Sequence, residues 1–294
     1  MKVITSAVNN PTFIEIQYLT FKKYLKQDFE YIVFNDAKDF AELSNEGDLT
    51  QRQQIFDMCN KLGVKCIPID NRHHNSYANQ TSHCHSLTLK EMLKYQLENP
   101  DFYILIDFDM FLYDYLDIND FIKYKAAIFL QTREWLNLSH LNWVWPGLLF
   151  LNMNHPSEKD YELLDWGFTY KSDTGGATHN WLMKQLSPNE TLPNFHGLCI
   201  QNNVDINVNS DKIYFFKALN VNKWTEKDMP EKVKLNESFA NFIKSDPRNS
   251  PDGNIYSEFY HNCFYHYKAG GNWDNAGLQL HLNRALVLKD ILLS

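Results

Sequence analysis

Two aspartates, Asp107 and Asp109, close the apolar run Phe102-Tyr103-Ile104-Leu105-Ile106 at a spacing of i, i+2. The run is short, aromatic and aliphatic, and it follows the Asn99-Pro100 stop signal, so it reads as a fully buried strand. Residues i and i+2 of a strand share a face, which predicts that both carboxylates project together at its carboxyl end. Open α/β sheets collect their ligands at those ends. Adjacent carboxylates repel unless a cation sits between them, and oxygen ligands suit Mg²⁺ or Mn²⁺. The chemistry implied is a divalent metal site that holds phosphates. An Asp-x-Asp by itself also serves as a plain polar turn or helix cap, so a second motif matters.

That motif is His266-Tyr267-Lys268-Ala269-Gly270-Gly271-Asn272-Trp273, which leaves an aromatic stretch, Phe259 to Tyr265, that reads as one strand. A neutral imidazole from His266 can complete a site that two aspartates leave unfinished. Lys268 can meet a phosphate as a point charge, and Gly270 and Gly271 let backbone N–H groups approach anionic oxygens. The plain alternative is a tight turn with a partly buried histidine and a core tryptophan.

The elements that must position these residues follow a βαβ rhythm. Residues 2–8 read as a strand, and Thr12 with Glu15 forms a capping-box pattern before Ile14, Tyr18, Phe21 and Leu25 at helical spacing. A second strand runs from Glu30 to Phe34 and ends at Asn35-Asp36, and a helix from Thr50 to Lys61 is closed by Gly63. Val64 to Ile69 is a third strand. The polar loop after Asp70 carries Arg72, His73, His74, Asn75 and Asn79, and a helix over 87–97 is capped by Thr88 and Glu91. Beyond residue 120 the rhythm changes. Ala126 to Leu130 and Trp143 to Asn152 read as strands, 157–170 as helix, and Thr178 as the cap of a helix to Leu186. Residues 187–260 read as short strands alternating with polar loops. The turn after the first strand, Val8-Asn9-Asn10-Pro11, lacks GxGxxG, and no Walker-type loop is present, which sets NAD and ATP hydrolysis aside.

The 294 residues are enough for one large α/β domain or two smaller ones, and 15% aromatic with 44% hydrophobic residues marks a globular chain. A formal net charge of −8 without a Lys/Arg block argues against nucleic acid or an anionic membrane as the main partner. Five scattered cysteines with no CxxC read as reduced thiols. Without a signal-peptide pattern or an apolar run of spanning length, the expected location is cytoplasmic, or the cytosolic face of a membrane. The sequons at Asn79, Asn137, Asn189 and Asn236 are then idle matches.

With these motifs the chain resembles the GT-A-type, nucleotide-sugar-dependent glycosyltransferases, in particular the glycogenin-like and galactosyltransferase-like branch. In that superfamily an Asp-x-Asp ends a central strand and holds Mn²⁺ against the donor diphosphate; Asp107-Phe108-Asp109 is the match. The branch adds a C-terminal His-x-x-Gly-type motif whose His is a third metal ligand. His266 with Gly270 is similar, at a spacing that departs by about one residue, and Lys268 precedes the glycines instead of following them. A Gly-bearing strand ending in Asn is matched by Pro146-Gly147 to Asn152.

The resemblance implies a GT-A-like, Rossmann-type mixed sheet flanked by helices, in a single domain over 1–294. Its nucleotide-sugar half is 1–120, and its acceptor half, with the C-terminal metal and phosphate motif, is 121–294. It implies Mn²⁺ or Mg²⁺ held by Asp107, Asp109 and His266. Asn9, Asp36, Arg72, Phe108, Lys268, Gly270 and Gly271 are then expected at a donor of the UDP- or GDP-sugar type, with residues 72–86 covering it. A carbohydrate or other hydroxyl acceptor is expected against Trp145, Gly147, Gly176, His179 and Trp273. If the reaction inverts, a carboxylate base is needed near the acceptor, and Asp173 is the first candidate with Asp205 behind it.

Two other classes compete. A haloacid-dehalogenase-like phosphatase also places Asp-x-Asp after an apolar strand, with the first Asp as nucleophile. Against it, Phe111 stands where a small residue is expected, the motif lies mid-chain, and no later Asp-Asp motif with a preceding Lys is evident. A non-catalytic sugar- or nucleotide-binding relative is the other.

Overall fold

The computed structural model describes residues 1–37, 50–76, 80–135, 139–157, 159–168, 172–186, 212–219, 225–250, 255–271 and 277–294. The first half alternates as the pattern demands. The order is β1 (Lys2–Ala7), α1 (Pro11–Tyr24), β2 (Glu30–Asn35), α2 (Gln51–Leu62), β3 (Lys65–Pro68), the single turn α3 (His73–Ser76), α4 (Thr81–Glu98) and β4 (Phe102–Ile106). Then come β5 (Met110–Leu112), β6 (Ala126–Trp135), β7 (Ser139–Asn152), α5 (His179–Gln185), β8 (Ile213–Phe215) and β9 (Ala218–Leu219). The chain closes with α6 (Glu231–Leu235), α7 (Glu237–Lys244), β10 (Glu258–Tyr260), β11 (Phe264–His266) and α8 (Leu278–Leu293).

A seven-stranded sheet has the order β3-β2-β1-β4-β7-β6-β8. β3, β2, β1 and β4 run parallel, β7 is antiparallel to both β4 and β6, and β8 returns parallel to β6. The expected α/β class, a mixed sheet flanked by helices, is the one observed. Period-2 alternation splits the central strands between two cores. Val3 and Ile104 pack with Phe13, Phe21 and Leu288 on one face; Ile4, Tyr103 and Leu105 pack with Leu89, Trp166 and Trp181 on the other. A strand buried on both faces has no polar side, which is why β4 reads as an unbroken apolar run. A second, four-stranded antiparallel sheet, β5-β11-β10-β9, stands beside it. No helix among the described residues is long and apolar enough to cross a membrane.

Several sequence expectations are corrected. The Thr12–Glu15 capping box does not form: Pro11 opens α1, Asn10 sits in the left-handed region at φ 45, and Glu15 takes Lys61 and Lys289 instead. α4 starts at Thr81, so Thr88 lies inside it and spends its hydroxyl on Asp36. Among the described residues of 157–170 a 3-10 turn at Tyr161–Leu163 stands in place of the expected helix, and Asp160 just before it is drawn into a buried ion cluster. Thr178 precedes α5 without capping it; its hydroxyl binds the Gly175 carbonyl and accepts the Val144 N–H. Between 187 and 260 the described residues include two helices, α6 and α7, beside short strands. The aromatic stretch from Phe259 is two strands, since His261 and Asn262 at φ 49 and 54 turn it back on itself. The α2 expectation holds at both ends: Thr50 accepts the Gln53 N–H, and Gly63 at φ 66 closes the helix.

Candidate functional site

β4 ends at Ile106, and Asp107 to Asp109 form a tight turn into β5. The Asp107 N–H donates to the Gly147 carbonyl at 2.9 Å, and the Met110 N–H donates back to the Asp107 carbonyl at 3.0 Å. Gln17, buried in α1, donates Nε2 to the carbonyls of Asp107 (2.8 Å) and Met110 (2.6 Å) while accepting from the Tyr31 hydroxyl at 2.6 Å. The two carboxylates thus converge because a clamped turn aims them, and not through the strand pleat expected from their spacing. Register brings the third group. β5 pairs with β11 so that Met110 lies opposite His266, which sets the imidazole beside Asp109. Ligand atoms of Asp107, Asp109 and His266 lie within 4.8 Å of one another.

Both flanks of this triad are braced. Asp109 Oδ2 accepts the Gly270 N–H at 2.8 Å, and the Asp109 carbonyl accepts the Tyr267 N–H at 2.9 Å. His266 turns Nε2 toward Asp109 Oδ1 at 3.4 Å, and its Nδ1 bonds Glu258 Oε2 at 2.7 Å. Glu258, directly across the β10–β11 hairpin from His266, also accepts from the Tyr260 hydroxyl at 2.9 Å and pairs with Lys268 at 3.0 Å. A carboxylate behind a ligand histidine fixes the ring and raises its basicity, the usual outer partner of a metal-binding imidazole. Glu258 escaped the sequence reading; the signal that finds it is hairpin register, which was hidden while Phe259 to Tyr265 read as one strand.

The electrostatics fit a cation. Burial and repulsion from Asp109 push the Asp107 carboxyl up, against the opposing pull of His85 and His266. Burial depresses the His266 imidazole, but Asp109 and Glu258 outweigh it and hold its pKa up at about 10. Burial likewise opposes ionisation of Glu258, yet His266 and Lys268 bring it down to about 2. The donor set, two carboxylate groups and one oriented imidazole, suits a divalent ion of the Mn²⁺ or Mg²⁺ type. Such an ion would displace the imidazole proton as it binds.

Above the triad opens a cavity of about 690 Å³. Of the expected site residues, Asn9, Asp36, Asp107, Phe108, Asp109, Trp145, Asp173, His266, Lys268 and Gly271 line it. Asn9 donates to the Gly271 carbonyl at 2.9 Å, Trp145 stacks on Tyr260 at 4.9 Å, and Asp173 accepts from the Ser82 hydroxyl at 2.6 Å. Gly270 and Gly147 act from behind the wall. A Cβ on Gly270 would lie 2.7 Å from Phe13 and 2.9 Å from the Asp109 Cβ, and one on Gly147 would collide with the Trp145 ring. Gly176 is buried in a 3-10 turn, and His179 bonds the Asn142 carbonyl at 2.7 Å; neither lines the cavity. Arg72 faces solvent in an ion pair with Asp70. Trp143 and Trp181 are core residues. Asp205 and Trp273 lie outside the described residues. His85, which the sequence reading placed only within the covering loop, lies in the wall with Nε2 3.9 Å from Asp107 Oδ1.

No family model matches this chain, and no curated protein matches its sequence. Among solved structures it is similar to the galactosyltransferase LgtC in complex with donor and acceptor sugar analogs, at 11% identity and a TM-score of 0.34. The match covers 56% of this chain and 62% of that one, so the chain spans less than two thirds of that structure's length.

Proposed function

We propose that this chain is a metal-dependent glycosyltransferase that moves a sugar from a nucleoside-diphosphate sugar of the UDP or GDP type to a glycan or other hydroxyl acceptor. The observation that carries the reading is the Asp107–Asp109–His266 convergence, braced by Glu258, in the wall of a cavity large enough for such a donor. A divalent ion there would offset the charge that grows on the departing diphosphate.

The chain's own groups support this reading. Lys268 brings a cation to the same wall, and the Gly270–Gly271 turn lets the backbone come close without a side chain in the way. Asn9 and Asp36, at the ends of β1 and β2, belong to the nucleotide side, in the half formed by residues 1–120. Trp145, flat against Tyr260, offers an apolar face on which a sugar ring stacks. Asp173 is the proposed base for an inverting reaction, with Ser82 holding its carboxylate. Residues 121–294 form the acceptor side.

The test is thermal stabilisation by nucleoside diphosphates with and without Mn²⁺, since a ligand that prefers the native state raises its melting temperature. One nucleoside diphosphate that stabilises only with Mn²⁺, and not in Asp109→Asn, supports the reading. No shift with any nucleotide under any metal sinks it, and release of phosphate from aryl phosphates would install the phosphatase in its place.

A further inference from the structure

A second histidine–carboxylate cluster contributes to the same cavity wall and shares no residue with the first. Asp36, 1% exposed at the end of β2, meets His73 Nε2 at 3.2 Å through Oδ1 and His74 Nε2 at 3.1 Å through Oδ2. His73, His74 and Cys84 each bring one ligand atom, and all three lie within 4.8 Å of one another. Neighbouring helix residues ordinarily point roughly 100° apart. Here the two rings lie with centroids 4.3 Å apart, tilted by 39°, and send both Nε2 atoms to one carboxylate.

His73 Nε2 and Asp36 Oδ1 are shielded from solvent and face each other at 3.2 Å, while His74 Nε2 also reaches the Asp36 backbone carbonyl at 3.0 Å. In a tetrahedral zinc site with bonds of about 2.0–2.3 Å, adjacent ligand atoms lie about 3.3–3.7 Å apart. The outer support is also present. Thr88 follows Cys84 by one turn of α4 and donates its hydroxyl to Asp36 Oδ2 at 2.7 Å, fixing the carboxylate. Asp36, His74 and Cys84 line the cavity, which gives an ion a way in.

We propose that His73, His74 and Cys84, with the Asp36 carboxylate set against the two rings, form a second metal site, taking a zinc-class cation that fastens α3 and the start of α4 to the end of β2. The donor chemistry separates the two sites. Imidazole and thiolate select zinc-like ions, whereas the Asp107 turn selects oxygen-seeking ones. The proposal shares no residue with the Asp107–Asp109–His266 triad, and its readout involves neither donor nor acceptor, so it holds or fails separately from the glycosyltransferase reading.

The experiment is a Co²⁺ titration of chelator-treated full-length Asp109→Asn protein, in which the first site is disabled. Expected are one bound equivalent, the visible bands of tetrahedral cobalt and a near-ultraviolet thiolate-to-cobalt absorption, all reversed by added Zn²⁺. Adding Cys84→Ser should abolish the thiolate absorption, and adding His74→Gln should weaken binding by more than about tenfold. Far-ultraviolet circular dichroism of the metal-free variants verifies that they fold. Should a variant fail to fold, protection of Cys84 from thiol alkylation by Zn²⁺ in the otherwise intact chain decides instead. Absence of the thiolate absorption, its survival in Cys84→Ser, or alkylation unaffected by Zn²⁺ overturns the proposal and leaves a hydrogen-bonded His–Asp cluster only.

Discussion

Asp160 is buried and Asp107 half-buried in a cavity wall, and the chain treats the two carboxyls in opposite ways. Asp160, 2% exposed, is neutralised from within: Lys125 and Lys184 pair with it, and Gln185 and Trp181 donate to it. Burial works against its ionisation, yet these partners hold its carboxyl down at about 2. Asp107 stands beside a second carboxylate, with His85 at 3.9 Å as its ion-pair partner among the described residues, and its carboxyl is pushed up. A carboxylate whose cation is built into the chain is a structural group. A carboxylate left facing another carboxylate in a cavity wall is arranged for a cation that arrives from outside.

The contrast breaks first at Asp109. Asp109→Asn removes one of the two charges, and metal-dependent transfer should fall by at least about a hundredfold while the melting temperature without metal stays level or rises. Activity that survives, or a large fall in metal-free stability, would make the pair structural like Asp160. Glu258→Gln is the next largest. The amide keeps the shape but loses the charge behind His266, so Mn²⁺ affinity should drop about 10- to 100-fold by titration. An unchanged affinity would mean that Glu258 serves only the hairpin.

The same contrast explains what could be read from sequence. β1 to β4, with their helices, were legible because each announces itself within a dozen residues: apolar periodicity, a Thr50 cap, a Gly63 stop. Asp107 and Asp109 were legible because they end such an element. His266 was legible as a motif, but Glu258 was not, because its role depends on which residue of β10 faces which residue of β11, and the left-handed His261-Asn262 turn carries no glycine to signal it. The Asp36 cluster gathers side chains from 36, 73, 74 and 84 across a parallel crossover, a pairing that local pattern does not encode. Helix 157–170 failed for the reason that Asp160 is interesting: tertiary charge pairing overrode the local pattern.

Gly270 tests the packing beneath the triad. A methyl group there meets Phe13 and Asp109 within van der Waals distance, so Gly270→Ala should cost about 1–3 kcal/mol in urea unfolding and weaken Mn²⁺ binding as Asp109 shifts. A stable variant with full metal affinity would mean that the turn relaxes freely.

The smallest effect concerns Asp160 and is read through pH. Its folded carboxyl sits at about 2, against an ordinary value of 3.8, so ionisation contributes about 2 kcal/mol of stability above pH 5. Because the folded value is the lower one, the unfolded chain takes up the proton first as pH falls. The contribution fades from about pH 4 downward, and about half is gone by pH 3. Asp160→Asn has no proton to take up there. Its stability deficit relative to the parent chain, large at neutral pH because Lys125 is left buried without its counter-charge, should therefore shrink by about 1 kcal/mol between pH 5 and pH 3. A deficit that stays flat across that range would mean that Asp160 is not held ionised by its lysines, and the distinction between self-neutralised and cation-seeking carboxylates would lose its structural example.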